Sequence, residues 1–489
     1  MAVLFNSYIF ILLFLPVALF LYFGLNHIGK ETEAKISLVI MSLWFYGYFH
    51  VSYLLLLVGS ILFNFVCSRM LLRSGRGINH RRLLLGIGIT ANIGVIFYFK
   101  YYNFFLENVN GLFRTDIPLK EILMPLGISF FTFQQISYLV DSYREETGEY
   151  TFVDYALFVT FFPQLIAGPI VLHQEMIPQF NDKARKKLGS EKFARGLWLF
   201  SVGLFKKVMI ADILGKGADW GFANPEILTG ADALVVSLLY TLQIYFDFSG
   251  YCDMASGIAS MFQMEMPVNF NSPYKATSIL DFWQRWHMSL TRFLRKYIYF
   301  PLGGSRKGTA RTMLNVMIVF GVSGIWHGAS WTFILWGLIH GAAQVLNRLF
   351  KNAWERIPGI LRWLATFFFV NFTWILFRAE SLTDAGMIFS RIFNFGEMRL
   401  SSELLEQFAV LEFTYIVEHI AVLNGFVANH PAIYLLIFLT GAMLLALIPQ
   451  NCQQKKFVPG VKNALGSIVM LVWSVVSLSG LATFLYFNF

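Results

Sequence analysis

The chain has 489 residues, of which 56% are hydrophobic, 17% aromatic and 14% charged. Soluble domains carry about 25% charged residues, so this balance excludes an ordinary soluble protein and describes a polytopic membrane protein. The net charge of +9 does not point to nucleic acid, because Lys and Arg collect in short segments between apolar runs, as membrane topology requires.

A spanning helix needs roughly 20 apolar residues, about 17 at the short end. Candidate spans run over 8–25, 36–50, 51–68, 83–105, 122–141, 197–214, 233–251, 359–378, 431–449 and 463–487. The first has no Lys or Arg before it and no small-residue cleavage site after it, so it reads as a retained span. Four basic connectors are expected on the cytoplasmic side. They hold Arg69, Arg73, Arg76, Arg81 and Arg82; then Lys183, Arg185, Lys186, Lys187, Lys192 and Arg195; then the arginines of 285–311; then Lys455, Lys456 and Lys462. The connector after residue 378 is acidic, with Asp384, Glu397, Glu403, Glu406, Glu412 and Glu418, and is expected outside with both chain ends.

These sides agree only if two apolar stretches do not cross. One is 151–172, broken by Pro163 and the pair Gly168-Pro169. Broken backbone at membrane depth survives where it is buried in protein or lines a cavity, so 151–172 is expected to re-enter. The other is 312–349, expected as a helical hairpin with its tip at 324–328. That tip puts His327 deep in the membrane. An ionisable residue there is a functional hypothesis by default, and a neutral His satisfied by its neighbours is the competing reading.

Residues 277–304 place Ile279, Phe282, Trp283, Trp286, Leu290, Phe293, Leu294 and Tyr297 at helical spacing, behind a start signal of Ser278 and Asp281. Asp281, Gln284, Arg285, Arg292, Arg295 and Lys296 lie mostly on the other side. This predicts an amphipathic helix at an interface, with His287 on its apolar side. A structural His and a lipid-gripping basic face are the alternatives. Asp247 and Asp253 stand six residues apart, on different helix faces, and are expected to pair with arginines rather than act together.

Cys67, Cys252 and Cys452 make neither a metal spacing nor a disulfide set. No H-E-x-x-H, Cys-x-x-Cys, P-loop or G-x-S-x-G motif occurs, which sets aside zinc, ATP-driven and serine-hydrolase chemistry. What remains is a bundle with two inward histidines, a basic cytoplasmic face and broken helices. A His at neutral pH can take a proton from a hydroxyl, which can then attack an activated acyl group.

The stretches MPLGISFFTFQQISYLVD (124–141), FFPQLIAGPI (161–170), YFDFSGYCDMASG (245–257), DFWQRWHMSLTRFLRKYIYFPLGGSRKG (281–308) and SGIWHGASWTFILWGLIHG (323–341) together resemble the membrane-bound O-acyltransferases. The bacterial branch that includes the alginate O-acetylation protein is most similar. The core motifs cover about residues 120–345, within a single membrane domain expected over 1–489. The resemblance implies an all-α polytopic fold, about 11 to 12 transmembrane helices with re-entrant and amphipathic helices around a central tunnel. It implies that His327 is the catalytic base and His287 the second active-site His. With that reading Trp283, Trp286, Trp326 and Asp281 line the substrate tunnel, and Arg285, Arg292 and Arg295 meet the phosphates of the donor. The donor is acetyl-coenzyme A or another acyl thioester, used as a substrate, with no bound cofactor and no metal. The acyl group passes outward to an extracytoplasmic polysaccharide, directly or through a secreted acetyltransferase partner, in the bacterial cytoplasmic membrane among its lipids. Lys296 and Gln284 depart from the family pattern, where an Asp and an Arg are common. A transporter of a polysaccharide intermediate or acyl donor is the alternative from a different class, because broken helices beside polar residues also mark transporters.

Overall fold

A computed structural model describes residues 4–72, 77–409, 414–415, 417, 419–420, 425–427, 429–478 and 484–485. Arg73 and Arg76 of the first basic connector, Glu412 and Glu418 of the acidic one, and 479–483 and 486–487 of the last expected span lie outside the described residues. Among the described residues every regular element is helical. Six helices there are long and apolar enough to cross a membrane: Phe10–His27, Val51–Leu72, Ile78–Phe113, Gly230–Met261, Thr309–His327 and Gly359–Arg378. The other expected spans are helical but short or interrupted. Of 36–50, residues 36–47 fall in Glu31–Gly47; of 122–141, only 128–141 are helical, in Ile128–Tyr143; and 197–214 pass through a π-helical segment at Lys206–Ala211. Ile433–Leu447 and Val461–Val476 are apolar but also short.

The broken stretch at 151–172 does return to its start. Thr151 caps Phe152–Thr160, the chain breaks at Phe161, makes one more turn at Phe162–Leu165 and then runs extended. Tyr150 Oη lies 3.4 Å from His173 Nδ1, and Lys35 donates to both Asp154 (2.7 Å) and Asn181 (2.9 Å), so both ends sit beside one cation. From Asp154 to Leu172 the excursion is buried. Backbone groups that leave the helical pattern find side chains instead. Ser42 Oγ accepts from Phe162 N (3.2 Å) and Ser289 Oγ from Ile170 N (2.9 Å).

Two helix pairs pack backbone to backbone. Ser190–Phe205 runs against Gly230–Met261, where a Cβ on Gly203 would lie 2.5 Å from Gly250 O and one on Gly196 2.6 Å from Gly257 O. Small residues permit such contact, and seven-residue spacing on both helices repeats it. Thr309–His327 and Trp331–Leu349 form the expected hairpin. Its tip is at 328–330 rather than 324–328. Gly324 stays helical and serves the interhelical contact, since a Cβ there would lie 2.5 Å from Phe333 O.

Candidate active site

The Thr309–His327 helix stops at His327 because Gly328 turns extended, at φ −163° and ψ 154°, and Ser330 caps the next helix. The imidazole of His327 therefore projects from a final helical turn. Its ring centroid lies 5.2 Å from Trp336 and 5.1 Å from Phe377, both near edge-on, and the residue is 3% exposed. Trp336 belongs to the second arm of the hairpin and Phe377 to Gly359–Arg378, so three helices fix the ring.

His287 arrives by a different route. The continuous amphipathic helix expected over 277–304 is broken into Ile279–Trp283, Met288–Leu294 and a π-helical segment at Arg295–Tyr299. His287 sits at the break in a left-handed conformation, φ 45°, which costs energy in a residue with a Cβ. The break is held by Asn269. Its backbone oxygen accepts from Met288 N (2.9 Å), and its side-chain Oδ1 accepts from Ser289 N (3.1 Å) and Ser289 Oγ (2.8 Å). The same Oδ1 lies 3.2 Å from His287 Nδ1. An amide oxygen only accepts, so Nδ1 carries the proton, and in the neutral ring Nε2 carries the lone pair. His287 is 0% exposed, and its ring centroid is 6.5 Å from that of His327. One reacting group between the rings could meet both.

The start signal is realised in part. Ser278 Oγ accepts from Asp281 N (3.0 Å), while Asp281 Oδ2 accepts from Thr277 N (3.3 Å). Asp281 also pairs with Arg285 at 2.7 Å, and Arg292 pairs with Glu175. Of these three arginines, Arg295 lines a cleft of about 380 Å³ that Arg285 and Arg292 do not. Arg348 and Gln344 of Trp331–Leu349 face it there, and Trp283, Phe320 and Ser323 are also in its wall. Ser323 is one helical turn before His327. Trp326 lines a separate, apolar groove of about 700 Å³ with Phe133 and Phe293. Its indole lies 6.3 Å from His287, and Phe133 stacks on it at 5.1 Å. Trp286 lines neither cavity. It is packed against Phe282, Phe270 and Trp374 in the core.

Several site residues carry no motif signal. Asn269 is one polar residue in a loop. His340, inside the 323–341 stretch, is also buried, but both nitrogens are committed: Trp283 Nε1 donates to Nδ1 (3.2 Å), which leaves Nε2 to donate to Thr373 Oγ1 (2.9 Å). Lys100 does carry a signal, a cation inside an apolar span. Its Nζ donates to Trp326 O (2.7 Å) and His327 O (2.9 Å). Asp247 and Asp253 pair with Lys207 (2.6 Å) and Lys206 (2.7 Å), not with arginines. Among the described residues no three His, Cys, Asp or Glu side chains converge as a metal site.

Residues 77–383 match the model of MBOAT, the membrane-bound O-acyltransferase family. The chain is 46% identical over 412 residues to the peptidoglycan O-acetyltransferase of Helicobacter pylori, covering 78% of both chains. It is 40% identical over 403 residues to a probable alginate O-acetylase of Pseudomonas aeruginosa, covering 81% of this chain and 76% of that one. A teichoic acid D-alanyltransferase of Bacillus subtilis is 26% identical over 283 residues, 54% of this chain and 71% of its own.

Proposed function

We propose, from the premise that this chain belongs to the membrane-bound O-acyltransferase family and is an acyltransferase, that it moves an acetyl group from a cytoplasmic thioester to hydroxyls of a cell-envelope or exported polysaccharide. The observation that carries this reading is the pair of buried imidazoles 6.5 Å apart at the end of a helical hairpin. His327 is the general base. It takes the proton of the attacking hydroxyl as the oxygen bonds to the thioester carbonyl; the C–O bond forms, the C–S bond breaks, and the thiol leaves with a proton. His287, with its tautomer set by Asn269, accepts at Nε2 and so orients the attacking hydroxyl.

The cleft holding Arg295 and Arg348 supports donor entry on the side of the basic connectors. Two guanidiniums suit the phosphates of acetyl-coenzyme A or of a carrier-protein arm, and Ser323 lies where the thioester end would approach the His327 turn. Arg285 and Arg292 keep their acidic partners and act on the fold. The chain works as a multi-pass protein of the bacterial cytoplasmic membrane. The acceptor is a polysaccharide outside it, reached directly or through a secreted acetyltransferase. That its relatives are named for acetylating peptidoglycan and alginate favours a carbohydrate hydroxyl.

The test is His327→Ala expressed in place of the wild-type chain, with ester-linked acetate on the envelope polymers measured by mass spectrometry. The variant should accumulate in the membrane and leave the polymers without the acetate that the wild-type chain adds. Unchanged acetylation would remove His327 from the mechanism and leave a transporter or scaffold as the better account.

A further inference from the structure

The last turn of the His327 helix poses a problem of hydrogen bonding. A helix leaves its final carbonyls without intrahelical donors, and in an apolar setting water does not reach them. Here each has a donor. Gly328 N bonds Gly324 O at 3.4 Å. The Tyr101 hydroxyl donates to Ile325 O at 2.7 Å. Lys100 Nζ donates to Trp326 O at 2.7 Å and to His327 O at 2.9 Å. Three consecutive carbonyls are thus held by two consecutive residues of one other helix.

The helix that supplies them is locally unusual. Ile78–Ile96 continues into a π-helical segment at Phe97–Tyr101, and Tyr101 ends it at φ −111° and ψ −9°. A π segment inserts a residue and lets neighbouring side chains face the same way more nearly than an α-helix does. That is what brings the Lys100 and Tyr101 side chains to one partner. Keeping an ammonium in a span is costly, and among the described residues this one bonds not a carboxylate but backbone oxygens at the negative end of a helix, where a cation is favoured. Its Nζ also lies 6.0 Å from the Trp326 ring centroid, over the indole that stands beside both histidines.

We infer that Lys100, seconded by Tyr101, is a positioning residue for the transfer reaction: it clasps the carbonyls at the end of the His327 helix and so holds the imidazole against Trp336 and Phe377, within reach of whatever His287 binds. Lys100 acts through His327 and Trp326 and does not itself touch the reacting atoms. The inference rests on His327 being the base. Small displacements of a catalytic group, near 1 Å, cost on the order of a hundredfold in rate.

The experiment compares Lys100→Met, Lys100→Gln, Lys100→Arg and His327→Ala in the full-length protein in membranes, with kcat and donor KM measured for acetyl transfer from acetyl-coenzyme A. Lys100→Met should lose about a hundredfold in kcat with donor KM changed less than about threefold. Lys100→Gln and Lys100→Arg, which still carry N–H donors, should recover to within about tenfold of wild type. If Lys100→Met fails to accumulate, recovery by Gln and Arg carries the same conclusion. Lys100→Met at wild-type kcat would overturn the inference, as would equal losses in Met, Gln and Arg, whether of rate or of folded protein. An active His327→Ala defeats the general-base reading. An inactive His327→Ala beside a fully active Lys100→Met defeats only the clasp.

Discussion

The two close-packed helix pairs of this protein use the same device and end in opposite chemistry. Ser190–Phe205 against Gly230–Met261 and the two arms of the 309–349 hairpin both place glycine where a Cβ would strike a backbone oxygen of the partner, at 2.5 to 2.6 Å for Gly196, Gly203 and Gly324. In the first pair the polar groups at depth are a lysine against an aspartate, twice over, at Lys206–Asp253 and Lys207–Asp247. Asp247 Oδ2 also accepts from Leu485 N at 3.0 Å, which ties the chain's far end to the same spot. Such charges are spent on each other. At the end of the second pair the polar groups at depth are imidazoles, His327 on the hairpin and His287 packed beside it, and no carboxylate is among the partners named for them: the Asn269 amide holds His287, and Lys100 clasps the carbonyls of the His327 turn. Close packing builds a scaffold when its polar groups neutralise one another, and a site when they can still exchange a proton.

The largest effect expected from breaking this contrast is in the scaffold. Lys207 and Asp247 are each 2% exposed in their side chains, and Lys207 also meets Asp212 at 2.8 Å. Lys207→Met leaves two carboxylates facing each other without their cation. Removing one partner of a buried pair costs roughly 3–5 kcal/mol, comparable to the stability of many domains. The variant should accumulate poorly, and what accumulates should unfold at lower temperature. Lys207→Met with Asp247→Leu should recover part of the loss, read by thermal unfolding of detergent-solubilised protein. A single variant as stable as wild type would mean that the pair is not a scaffold element.

The site should respond in the reverse manner, in rate more than in stability. Asn269→Ala removes the oxygen that fixes His287 Nδ1–H and caps Ser289. The capping loss is worth about 1 kcal/mol, while a mis-set tautomer removes most of a contribution of about 10²–10⁴ in rate. Acetyl transfer should fall about a hundredfold with the protein still folded. Equal activity of Asn269→Ala and wild type would show that His287 does not depend on this bond.

How much of this was legible follows the same line. His327 and His287 stand out in sequence because titratable rings are rare at membrane depth, and broken backbone at Pro163 and Gly168-Pro169 announced the excursion over 151–172. The hairpin at 312–349 followed from parity. What the sequence hid were features made by distant residues. The break at His287 depends on Asn269, eighteen positions earlier, which overrides a helical pattern running through 279–297. Arg285 and Arg292 looked alike with Arg295 by spacing, and only their partners Asp281 and Glu175 separate them. Arg348 had no pattern at all. The glycines at 196, 203, 250 and 257 were legible in principle as two seven-residue pairs, but nothing local says that they meet.

The smallest expected effect sharpens the contrast between buried and surface charge along one helix. Just past the end of Gly230–Met261, Glu265 accepts from Lys192 at 2.7 Å, with side chains 56% and 38% exposed. The Lys192 hydrogen bond holds the Glu265 carboxyl below its ordinary value of 4.5, against a smaller push upward from partial burial. A depressed carboxylate contributes stability above its unfolded value, and that contribution is lost as pH falls through the lower folded value. The window is therefore acidic, from about 4.5 downward. Solvent screening keeps the pair under about 1 kcal/mol, and added salt shrinks it further. Glu265→Gln should thus shift thermal stability only slightly at neutral pH, by a few tenths to about 1 kcal/mol, and the difference from wild type should shrink as the pH falls below about 4.5 and in about 1 M salt. The Lys207→Met deficit, set in dry packing, should persist in the same salt. A salt-sensitive Lys207→Met deficit, or a large salt-resistant one at Glu265, would erase the distinction between scaffold and surface from which the site's own chemistry is read.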